Sequence, residues 1–141
     1  MSEESDDVEL RAPAVVFPGM EGHEHAYRTA YDLLDRRFPR EALEIIEPAL
    51  EEEPGNAGLR SLRAWAFLLR AQLEKAEAEL RALVEDYPTD VWARHALGRA
   101  LERQSRYEEA LPHLRIAAVM SDDYDHQAAV IRVQNLMARE D

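Results

Sequence analysis

The sequence predicts an all-α protein built as three helix-turn-helix repeats and closed by a seventh helix, and three observations carry that prediction. Ala42, Ala76 and Ala110 recur every 34 residues, and Pro88 follows Pro54 by the same interval. Between these landmarks apolar residues fall at i, i+3 and i+4, the spacing of a helix with one buried face. Breakers such as Pro54-Gly55, Tyr87-Pro88 and Ser121-Asp122 separate the helical runs. A unit this short cannot bury its own apolar stripe, so neighbours have to stack.

Residues 1–22 lack helical periodicity, carry five acids before Leu10, and are broken by Pro13, Pro18, Gly19 and Gly22. They are expected to form an acidic, flexible arm. An apolar island at Val15, Val16 and Phe17 interrupts it and is a candidate for docking on the rest of the chain. The repeat domain then occupies 23–141, with repeats at about 23–56, 57–90 and 91–123 and a capping helix at about 124–139.

The first helix is placed at 24–37 by Ala26, Ala30, Leu33 and Leu34, with Tyr27 and Tyr31 alongside. Pro39 disfavours helix at Phe38 and marks the turn. The second helix, 40–52, contains Pro48, which removes an internal hydrogen bond and is expected to bend it. Asn56 is a candidate N-cap for a helix at 57–70, paired with one at 73–86. Asp90 is the corresponding cap for 91–104, followed by 107–120 with Pro112 in or near its first turn. Ala76 is expected at the closest approach of the two central helices, with Glu77 beside it on the exposed side. The seventh helix departs from the others. In strict register its contact side would be Ala128, Ile131, Arg132 and Asn135, yet Ala129, Val130, Val133, Leu136 and Met137 are the more apolar set. A rotation that buries the second set is expected, the alternative being a stripe left for a partner.

The pattern resembles the tetratricopeptide repeat family. Alignment on the alanines puts small residues at the family's close-contact site in each first helix (Ala30, Ala64, Gly98) and bulky ones three further on (Leu33, Phe67, Leu101). Ala42, Ala76 and Ala110 in the second helices are followed four on by Ile46, Leu80 and Leu114. The sequence departs from the family where its first-helix aromatic is replaced by Ala26, Arg60 and Arg94. Leu83 also stands where Ala49 and Ala117 show a small residue, and Asp122 replaces the last proline. The resemblance implies a right-handed superhelical array whose inner wall comes from the first helix of each pair and binds peptides. On this sequence that wall is Tyr27, Tyr31, Leu62, Trp65, Leu69, Trp92, His95, Arg99 and Arg103. Tyr31, Trp65 and Arg99 are one repeat apart and should line up, and aromatic residues with arginine are what interface hot spots are made of. Members that clamp a C-terminal carboxylate need asparagines where Tyr31 and Trp65 stand, so that function is not expected here.

Composition narrows the function classes. A net charge of −12 argues against nucleic acid and anionic membranes, since phosphate binding needs clustered positive charge. There is no cysteine. The acidic start and the lack of a long apolar run suggest a cytoplasmic protein, and the preference for arginine over lysine looks bacterial. His23-Glu24-His25 with Glu21 is no metal site by this reading, because residues two apart on a helix point to nearly opposite sides. His95, His113 and His126 lack a nucleophile at any recognisable spacing, and there is no glycine-rich phosphate loop. No cofactor, metal or catalytic residue is expected. The sequence therefore reads as a non-catalytic protein-protein interaction module, an adaptor, co-chaperone-like protein or assembly factor that binds a segment of another protein. The alternatives are a homodimeric scaffold joined through the last helix and, more remotely, an enzyme of unrecognised type.

Overall fold

The computed structural model describes Ala12, Pro13 and residues 23–140. Apart from those first two residues, the expected arm and its island at Val15, Val16 and Phe17 lie outside the described residues. Among the described residues seven helices follow one another, α1 Glu24–Asp35, α2 Pro39–Glu52, α3 Ala57–Leu69, α4 Leu73–Asp86, α5 Val91–Arg103, α6 Tyr107–Val119 and α7 Tyr124–Glu140. Each packs on its sequence neighbours, and α1 also touches α3. The arrangement is an all-helical superhelical array.

The turn inside each repeat is built the same way three times. Arg37, Ala71 and Ser105, spaced by the repeat period, all sit in the left-handed region with φ of 69°, 57° and 60°. The residue after each donates to the carbonyl five positions back: Phe38 N to Leu33 O at 2.7 Å, Gln72 N to Phe67 O at 2.9 Å, Arg106 N to Leu101 O at 3.0 Å. This is the Schellman closure, which satisfies helix carbonyls otherwise left without donors. Glycine normally takes the left-handed site, and a side chain there is strained. Ala71→Gly should therefore raise the unfolding free energy by about 0.5–1 kcal/mol in urea titration, against the usual penalty for glycine in a helix.

Between repeats the caps recur as well. The Asn56 side chain accepts from Leu59 N and the Asp90 side chain from Ala93 N, each at 3.0 Å. Pro39 takes the first position of α2, where its missing N–H costs nothing. Pro112 is the sixth residue of α6, beyond the first turn expected for it, and its exposed ring faces solvent.

Two apolar clusters form one continuous core, with Phe67 and Trp92 packed against both. Ala30, Ala42, Ala64, Ala76 and Ala110 are fully buried where helices cross. Gly98 marks a close crossing of α5 and α6: a Cβ added there would stand 2.5 Å from Leu114 Cδ2. Leu83 is fully buried and fills the site that Ala49 and Ala117 occupy elsewhere. Arg60 takes the place of the missing aromatic by a different interaction. Its guanidinium donates to Glu79 at 3.3 Å and Asp86 at 2.9 Å, tying α3 to α4, while Arg63 reaches Glu79 at 2.7 Å.

Glu77 is not the exposed residue expected beside Ala76. Its carboxylate, 13% exposed, accepts from Arg106 at 2.7 Å, Arg81 at 2.9 Å and Gln104 at 3.1 Å, and so links α4 to the next repeat's turn. Burial alone would raise its pKa, but those three donors hold the carboxyl below its ordinary value. The seventh helix buries Ala129 and Val133, packs Val130 and Met137 on the core, and leaves Ile131 exposed. Its rotation is that of the more apolar face.

Candidate functional site

The wall formed by α1, α3 and α5 begins with three aromatic residues in contact. Tyr27 and Tyr31, one turn apart on α1, have ring centroids 6.1 Å apart, and Tyr31 meets Trp65 of α3 edge-on at 5.7 Å and 66°. Two of the three side chains in register thus touch, and the pairing is of the kind that aromatic quadrupoles favour. Burial, then the neighbouring Tyr31, pushes the Tyr27 hydroxyl up to about 12, so it stays protonated throughout the physiological range.

The third repeat supplies charge. Arg99 pairs with Glu102 at 3.1 Å, and Glu102 also accepts two bonds from Arg132 of α7, at 2.6 and 2.9 Å. Exposed Arg103 reaches back to the Leu68 carbonyl at 3.1 Å, joining the ends of α5 and α3. His95 is 6% exposed and stacks on His126 of α7 with centroids 4.3 Å apart. Its Nδ1 has no hydrogen-bond partner among the described residues. Desolvation, then His126, Arg99 and Arg132, against Asp123, lower its pKa to about 3, so the ring is neutral.

The nine wall residues named from the sequence are not equally accessible. Tyr31, Leu69, Trp92 and Arg99 are half-buried and Arg103 is exposed, whereas Tyr27, Trp65 and His95 are buried and Leu62 is wholly inside the core. Ser61, buried one repeat on from Tyr27, and the Glu102 and His126 contacts were not legible as wall features. Small or charged residues at those positions carry no periodic signal of their own. Elsewhere, His23 stands 3.8 Å from both Glu52 and Glu53 while His25 is exposed. Among the described residues no group of three or more His, Cys, Asp or Glu is placed to hold a metal ion, and no helix is long and apolar enough to cross a membrane.

The stacked helix pairs define a helical-repeat array. The chain matches the Tetratricopeptide repeat family over residues 33–93. It is 30% identical over 124 residues to Phagocyte signaling-impaired protein of Drosophila pseudoobscura pseudoobscura, an alignment covering 76% of this chain and 13% of that protein. The chain thus spans a small part of that relative's length. Among solved structures, the Arabidopsis OM64 TPR domain superposes with a TM-score of 0.76 at 24% identity, covering 82% of this chain and 97% of the other. The first TPR domain of human RPAP3 does so with 0.75 at 16% identity, covering 81% and 91%. At these identities the likeness establishes the fold.

Proposed function

We propose that this protein is a non-catalytic adaptor or assembly factor that binds a segment of another protein along the wall of α1, α3 and α5. The row Tyr31, Trp92, Arg99 and Arg103 supports this reading, because partly exposed aromatic side chains stand beside arginine along α1 and α5. Trp65 is a poor probe of that wall, since truncating a buried tryptophan costs about 3–5 kcal/mol of stability. Trp92→Ala and Arg103→Glu change accessible wall positions, and Ala78→Arg changes an exposed site on α4 as a control. Affinity capture by the full chain should lose its bound proteins with the two wall variants and keep them with Ala78→Arg. Equal recovery by all three would refute the assignment.

A second reading, a homodimer, draws on the exposed Ile116, Val119, Met120, Tyr124 and Ile131 at the α6 and α7 end. Sedimentation decides between the two: a mass that stays monomeric at high concentration removes the dimer.

A further inference from the structure

Trp65 stands on the inner wall yet is 2% exposed. Tryptophan is rarely so completely covered, and in an array of three helix pairs the inner wall faces open space unless something lies over it. The Tyr31 ring, edge-on, shields one side. Among the hydrophobic residues packed against the buried cluster of α1, α2 and α3 that includes Tyr27 and Trp65, Ala12 alone of those described lies outside the helices. Its neighbour Pro13, ten residues before His23, is buried. A proline with no helix of its own owes its burial to the surface on which it rests.

We propose that the arm segment centred on Ala12 and Pro13 lies along the wall of the first two repeats as a built-in ligand, which any external segment has to displace. This rests on the binding role proposed for that wall. Local chemistry suits the part: Pro13 fixes its own φ and biases Ala12 to extended chain, and neither residue is helical. Reach is sufficient, because the nine residues 14–22 span up to about 30 Å, against roughly 18 Å for a twelve-residue helix such as α1. The external ligand implied is an extended, proline-containing apolar segment.

A peptide of residues 1–20 of this chain, titrated into the full chain and into Ala12→Glu/Pro13→Glu, tests the proposal. A tethered segment has an effective concentration of order mM, so a contact of ~100 µM intrinsic affinity makes the unaltered chain bind the peptide about tenfold more weakly than the variant. The variant's tryptophan emission should also move to longer wavelength as Trp65 meets water. Equal affinity for both chains, or binding to neither, overturns the proposal and leaves the wall's role to the Trp92 and Arg103 variants. The chain has no native cysteine, so a spin label on Ala12→Cys gives a second measure. It should broaden the Trp65 indole resonance at every dilution, and broadening that vanishes on dilution would assign the arm to a second copy and overturn the proposal.

Discussion

Leu80→Ala should lower the unfolding free energy by about 2–5 kcal/mol, a large part of the total for a domain of this size. Leu80 is fully buried on α4, in the central repeat, within the cluster that also holds residues of α3, α5 and α6. Loss of its side chain leaves a cavity between stacked units, and in a solenoid the neighbours lose an interface as well. The converse change tests the crossing itself. Ala76→Leu should overpack α4 and cost about 1–3 kcal/mol, whereas Ala78→Leu, the same substitution at an exposed position two residues on, should stay within about 0.5 kcal/mol of the parent. Urea midpoints measure all three variants. Coincident midpoints for Ala76→Leu and Ala78→Leu would contradict the register.

Acidification should weaken the junction of the third repeat with α7. In the folded chain His95 titrates at about 3, far below its ordinary value near 6.5, so the unfolded chain binds the proton more readily. Stability is fully present above about 6.5 and is lost as the pH falls from there toward 3. For His95 alone the loss is about 2 kcal/mol at pH 5. The charged form would have to sit against His126, Arg99 and Arg132, with Asp123 as the favourable neighbour. His113, also lowered by burial, then by Arg94 and Arg81, adds a loss in the same direction. Denaturant unfolding of the full chain and of His95→Gln between pH 7 and 5 checks this: the parent should lose more stability than the variant. Parallel losses would show that His95 is not the group responsible.

Much of this fold was legible because helix crossings demand small residues at a fixed spacing, and Ala30, Ala64, Ala42, Ala76 and Ala110 supply them. Local chemistry was legible for the same reason, since Asn56 and Asp90 act within three residues of themselves. The Arg60 clamp was not, because its partners Glu79 and Asp86 come close only once α3 and α4 pair. Glu77 read as solvated until the turn after α5 brought Gln104 and Arg106 to it. The wall was half legible: register aligned Tyr31 with Trp65, but exposure depends on what covers a helix from outside its own repeat. Leu62 shows the limit most plainly. It neighbours the wall in sequence and faces the core in space.

The central claim is that the face formed by α1, α3 and α5 holds a segment of another protein. Amide hydrogen exchange on the full chain, with and without a captured partner, tests it most directly. The account predicts slower exchange on binding in α1, α3 and α5, with α2, α4 and α6 unchanged; protection confined to α6 and α7, or to the outer helices, would contradict it.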